Sequence, residues 1–216
     1  MPEEPVVVDR IKVRIEGLSD IVFGLALSIG SLVLISNLPQ TPDALGDDIL
    51  LFIFSFALVV TSWFLYSRIM AVLPVEVRGA LVLNVMLLAC VALEPYTLYV
   101  LDSSSSQPLS FVEWSSFTYA IDIGLTYLLL AGLARIFLKE VGRSGTELRI
   151  HESLIRGFRH TMWAELFLGC IFVGSALPFF WVNTPVGYLR FDIWYLSFGV
   201  GFFWYSPRMR GKKANS

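Results

Sequence analysis

"RIEGLSDIVFGLALSIGSLVLI", residues 14–35, opens with charge and continues as hydrocarbon. Arg14, Glu16, Ser19 and Asp20 stand at its start, and from Ile21 onward only Gly and Ser interrupt the apolar run. A helix through this stretch is long enough to enter a bilayer, whose core takes about 20 residues to cross. Charges at the mouth of such a span are costly, and where they occur they have structural or functional work to do.

The remainder of the chain repeats the apolar pattern. Of its 216 residues, 56% are hydrophobic and 16% charged, with a mean hydropathy of +0.68, outside the usual composition of a water-soluble domain. Long runs predict six spans near 18–37, 48–69, 79–101, 111–137, 161–181 and 189–206. They are too long for barrel strands and do not alternate with period two. The fold class expected is all-α: one polytopic six-helix transmembrane domain over residues 1–216.

The cations orient it. Arg10, Lys12 and Arg14 precede the first span, Arg68 and Arg78 flank the second connection, and Arg135 to Arg159 fill the fourth. With the tail from Arg208, fifteen of the sixteen Lys and Arg residues fall on one side, leaving Arg190 on the other. The positive-inside rule then sets both termini in the cytoplasm of a multi-pass cell-membrane protein. Asp43, Asp47, Asp48, Asp102 and Ser103–Ser106 mark the outer loops. No cleavable signal is expected, because the run from Ile21 is too long and lacks a small-residue cleavage pattern.

Several side chains read as ordinary membrane furniture. Trp63, Trp114, Trp163, Trp181, Trp194 and Trp204 cluster near span ends as an interfacial belt. Cys90 and Cys170 read as plain buried thiols, with no His at ligand spacing and hence no metal site. His151 and His160 belong to the basic fourth connection, where "SGTELRIHESLIRGF", 144–158, reads as an amphipathic stretch along the inner leaflet. No Gly-rich phosphate loop, zinc-type His pair or Ser/His/Asp set is present, so no enzyme and no cofactor are expected. Among the acids, Glu94 precedes Pro95, and Glu165 and Asp192 fall near interfaces. Asp122, inside "TYAIDIGLTYLLL", is the deepest. It reads equally as part of a proton or ion path and as a hydrogen bond to a neighbouring helix.

Projected at 100° per residue, Leu25, Ser28 and Leu32 share one face of the first helix, with Ile21 just below. Asp20, Gly24, Leu27 and Ser31 share another, whose small residues suit close packing against the same subunit. Arg14 and Asp20 point in different directions, so each needs a partner from elsewhere, and Ser19 and Asp20 gain from the helix N-terminus.

Arg14, Leu18, Ser19 and Asp20, followed by "IVFGLALSIGSLVL", resemble the Arg-x-x-x-Phe-Ser-Asp motif and its continuation in the transmembrane protein 175 family of potassium channels. The resemblance is close over about 20 residues, and the span count extends it over the chain at low specificity. It implies a prokaryotic, single-repeat form that assembles as a homotetramer in lipid, with the first helix lining the pore. The expected partners are therefore a second copy of the chain, membrane lipid and permeant potassium ions, with no nucleic acid. Carried over by position, Leu25 is the hydrophobic constriction, Ser28 a hydroxyl layer tied to potassium preference and Leu32 a second apolar ring. Arg14, Ser19 and Asp20 would form a structural network, with Trp63 and Tyr66 as its second-span partners. Leu18 replaces the motif Phe, Ser28 replaces the commoner Thr, and Tyr66 and Ser67 stand where many prokaryotic members carry a His pair. The function expected is a potassium-permeable leak-type cation channel with a hydrophobic gate. It would have no voltage sensor, since no span carries regularly spaced Arg. The alternative is a small proton-coupled secondary transporter using Asp122 and Glu94.

Overall fold

In a computed structural model the described residues form six α-helices. The structure describes residues 4–36, 39, 41–73, 78–104, 107–143, 152–184 and 187–209. The helices are α1 (Glu4–Ser36), α2 (Pro42–Val72), α3 (Arg78–Ser103), α4 (Leu109–Arg143), α5 (Glu152–Ser175) and α6 (Leu189–Met209). A single 3₁₀ turn (Pro178–Phe180) and a two-residue antiparallel ribbon, β1 (Asn183–Thr184) with β2 (Gly187–Tyr188), join α5 to α6. At 33 residues, α1 is about 50 Å long, more than a bilayer core requires. Four helices, α1 to α4, are long and apolar enough to cross a membrane. The six-helix count agrees with expectation, but the length-and-apolarity criterion is met by those four.

Local chemistry accounts for several boundaries. Thr41 is an extended N-cap whose hydroxyl accepts from the Ala44 amide at 3.2 Å, with Pro42 and Asp43 in the first turn of α2. That helix closes where the Leu73 amide donates to the Ile69 carbonyl. Pro95 lies inside α3, where it has no amide to offer the carbonyl one turn back.

The core runs between α2, α3, α4 and α5. Leu58, Ile69, Leu87, Leu130, Leu133 and Phe172 are among its fully buried members. The chain packs α4 against α5 and α3, α1 against α3 and α2, and α6 against α5. Between α4 and α5 the backbones approach through Gly124 and Gly169. A Cβ on Gly169 would stand 2.7 Å from Leu128 Cγ and 2.9 Å from the Gly124 carbonyl. Small residues are what permit such contact between membrane helices.

Four expectations need correction. The described part of the fourth connection is not a separate surface-lying segment: α4 runs on to Arg143 and α5 starts at Glu152, so residues 152–158 are the first turns of α5. There Phe158 is buried against Phe137, at 4.7 Å between ring centroids, and Leu154 is exposed. Residues 144–151, with Arg149 and His151, lie outside the described residues. Trp194 is no interfacial belt residue, since it is fully buried and its indole donates to Ser175 Oγ at 2.7 Å. The side chain of Trp204 is outside the described residues. Cys170 is exposed on α5 and Cys90 half-buried, so neither is a plain buried thiol. Glu165 is not near a solvated interface: it is fully buried.

Arg190 explains the turn between α5 and α6. Its Nε donates to the Ser175 carbonyl at 2.8 Å, Nη2 to the Ala176 carbonyl at 3.1 Å and Nη1 to Ser116 Oγ at 2.6 Å. The guanidinium also stands 5.1 Å from the Trp181 ring centroid, and Trp181 stacks on Tyr188 at 4.0 Å. One cation thus satisfies the terminal carbonyls of α5 and ties them to α4, the ordinary need of a helix C-terminus.

Candidate pore helix and its anchor

The candidate site is α1. Its packed face carries Ser19, Phe23, Ala26, Gly30 and Val33, all buried against α2 and α3. The opposite face is bare within the chain. Leu25 is 55% and Leu32 58% exposed, Ile21 and Ile29 are similarly open, and Ser28 lies among them. The small-residue face is not turned toward its own subunit as expected. Asp20, Gly24 and Ser31 are exposed and only Leu27 is half-buried. In a bilayer both faces of a helix are apolar, so residue size alone does not say which one meets its own chain.

The polar start divides into two hydrogen bonds to α2. Ser19 Oγ lies 2.6 Å from the Tyr66 hydroxyl and also donates to the Ile15 carbonyl at 2.8 Å, so Tyr66 is the donor between the two hydroxyls. The indole Nε1 of Trp63 donates to Asp20 Oδ1 at 3.0 Å. Phe23 packs on the Tyr66 ring with centroids 5.5 Å apart. Trp63 and Tyr66 are three residues apart on α2, and Ser19 and Asp20 are adjacent on α1. One turn of α2 therefore holds the helix against rotation in two directions.

Arg14 is not brought into this set. It is exposed, and among the described residues nothing in the chain bonds its guanidinium. It stands three turns below Leu25 on nearly the same side of α1. Lys12 makes the contact instead, donating from Nζ to the Ala71 carbonyl in the last turn of α2 at 3.1 Å and lying 3.9 Å from Glu16. The sequence reading missed Lys12. Its signal was available, since a cation facing a helix C-terminus is favourable. Leu18, in the place of the motif Phe, is exposed.

Ser28 spends its proton on the Gly24 carbonyl at 2.8 Å, one turn back on α1. Its oxygen keeps a free lone pair on the exposed side. At the other end of the helix, Val33 borders a shallow cleft that also takes in Asp48 and Asp102, two carboxylates within electrostatic reach of each other. What α1 offers is therefore an apolar stripe with one hydroxyl step and acids near its far end. Such a surface can meet a dehydrating neck but offers no group for covalent chemistry.

Residues 14–95, from the charged start of α1 through most of α3, match the model of the family described as "Endosomal/lysosomal potassium channel TMEM175". The match spans 82 of the 216 residues and is a likeness to that family over the first three helices. That family is one of ion channels and not of enzymes. Over nearly the whole chain the fold is similar to two solved structures. One is a TMEM175 homologue from Chamaesiphon minutus, described as a lysosomal potassium-selective channel. It has a TM-score of 0.59 at 18% identity, and the likeness covers 94% of this chain and all of that one. The other is a variant of the potassium channel MtTMEM175, solved with a nanobody–MBP fusion protein. Its TM-score is 0.52 at 20% identity, covering 90% of this chain and 88% of that one. These likenesses show that the six-helix TMEM175 fold extends beyond residue 95. No curated protein matches the chain in sequence.

Proposed function

We propose that the chain forms a potassium-permeable, leak-type cation channel, a homotetramer of single six-helix units with α1 from each copy around a central pathway. The single observation that carries this reading is the bare apolar stripe on the helix that opens the family-matched segment. Leu25 and Leu32 are more than half exposed while the opposite face of α1 is buried. Four Leu25 side chains would close the pathway by dewetting, since water leaves a narrow apolar neck. Leu32 supplies a second apolar ring. Ser28, whose proton is held by its own helix, offers an oxygen to a permeating cation. The Ser19–Tyr66 and Asp20–Trp63 bonds set the rotation of α1 and so decide which residues face the axis. Arg14 stands on the exposed side, where its partner would come from a neighbouring copy. The fifteen-to-one cation bias supports cytoplasmic termini.

Conductance and reversal potentials of reconstituted protein test the reading. Leu25→Asn should raise resting conductance by wetting the neck, and Ser28→Ala should reduce the preference for potassium over sodium. Leu27→Ala, on a half-buried position, should alter stability more than permeation. Unchanged permeation in both Leu25→Asn and Ser28→Ala removes α1 from the pathway. The second reading, a proton-coupled carrier, draws on the burial of Glu94 and Asp122 in the subunit core. Saturable uptake that follows an imposed proton gradient would favour it.

A further inference from the structure

Away from the bare face of α1, the interior between α2, α3 and α4 holds a polar cluster. Asp122 of α4 and Glu94 of α3 are both buried, 4% and 3% exposed. Ser55 of α2 donates to Glu94 Oε1. Thr97 of α3 bridges the two acids. Its hydroxyl lies 2.9 Å from the Glu94 backbone carbonyl and 3.1 Å from Asp122 Oδ2, both in hydrogen-bonding geometry. A threonine hydroxyl owns one proton, and a backbone carbonyl can only accept. Both contacts are full hydrogen bonds only when Asp122 carries a proton and gives it to Thr97 Oγ1.

A second side chain turns into the same place. The Tyr119 hydroxyl is fully buried and has no hydrogen-bond partner, yet it stands within electrostatic reach of Glu94 and Asp122 and beside Ser55. The groups facing Asp122 from its neighbours are uncharged or acidic: Cys90 and Glu94 of α3, and Tyr119 of its own helix. From α5 the nearest acid is Glu165, which faces Tyr127 one step along α4 and has no hydrogen-bond partner on either oxygen. Among the described residues no Lys, Arg or His is bonded to any of these acids. Carboxylates buried without a cation or sufficient donors carry a prohibitive desolvation cost, so their charge is balanced by something bound.

From this arrangement we infer that each subunit carries a proton-binding site in its helical core, in which Asp122 donates as a carboxylic acid to Thr97 and Tyr119 stands by as the exchange partner. The ligand is the proton itself. The step is a simple transfer: the Asp122 Oδ2–H bond breaks as the proton is released to water, and Thr97, keeping its own proton, turns its hydroxyl from the Glu94 carbonyl to donate a hydrogen bond to the carboxylate left behind. The site rests on donor counting within one subunit and is independent of whether α1 conducts.

Infrared spectroscopy of the full chain in lipid at neutral pH tests it, with the parent, Asp122→Asn and Thr97→Val compared. The parent should show the C=O stretch of a protonated acid, and Asp122→Asn should remove that component while leaving the fold intact, because its amide also donates to Thr97. Thr97→Val should keep the component but shift it to the position of an acid without an acceptor. The band should be the same in potassium, sodium and N-methylglucamine at one pH. Loss of only carboxylate bands in Asp122→Asn, or an unshifted acid band in Thr97→Val, overturns the assignment. A band that changes on exchanging the cation also overturns it and makes the cluster a metal-cation site.

Discussion

Ser19 and Asp20 are neighbours in sequence but serve different partners, and the difference lies in how deeply each is set. Ser19 is fully buried, so its bond to Tyr66 is made where water cannot replace it. Asp20 is exposed, and its bond to Trp63 competes with solvent or headgroups. Removing one partner of a buried hydrogen bond costs about 1–3 kcal/mol, whereas exposed ones are worth less. Tyr66→Phe should therefore lower the thermal stability of purified protein more than Trp63→Phe. A melting series showing the reverse order would transfer the anchoring role to Asp20. Lys12 and Glu16 form a partly exposed pair and should contribute little on their own, a few tenths of a kcal/mol.

Helix against helix, the tightest constraint is the crossing of α4 and α5. Gly124 and Gly169 face each other there, and a methyl on either would meet backbone as well as side chain. Gly169→Ala must push α5 away from α4, an overpacking cost of about 1–3 kcal/mol. Detergent melts and yield of folded protein should both fall. In contrast, a Cβ on Gly24 of α1 meets nothing within 4 Å, so Gly24→Ala should leave the subunit's stability unchanged. A substantial loss of subunit stability in Gly24→Ala would mean that α1 packs elsewhere than on α2 and α3. The same comparison bears on assembly: if Gly24 marks a contact between copies, its Ala variant should weaken association without weakening the fold.

Across the whole molecule, apolar helices would each be satisfied by lipid, so hydrophobicity alone does not say which of them meet. Three features bind the set together: the α1 anchor on α2, the Gly–Gly crossing of α4 and α5, and the Arg190 clasp between α4, α5 and the start of α6. None of them covers the outward stripe of α1. Mass measurement of the intact protein in mild detergent should give four times the chain mass, and a monomer as the sole species would sink the tetramer. Disulfide trapping of a Leu32→Cys variant should link copies through α1, whereas a cysteine at exposed Phe167 on α5 should not.

Legibility followed physical cause. Hydropathy over long windows is a local property, so the all-α membrane class and six helices could be read from composition and run length. The stretch at 14–35 likewise carries its own periodicity, whereas Ser19, Asp20, Trp63 and Tyr66 could be named only through the resemblance of that stretch to a channel-family motif. What the sequence could not decide was which side of α1 turns inward, because both sides are apolar or small and the choice depends on what α2 and α3 present. The motif resemblance groups Arg14 with the anchor, yet Lys12 makes the reach to α2, since helical phase and the end of α2 decide it. Glu165 and Arg190 looked close to solvated ends when counted along the chain. Arg190 is bonded to carbonyls 13 to 77 residues away and Glu94 to Ser55, 39 residues away, and contacts that distant exist only once the helices have packed.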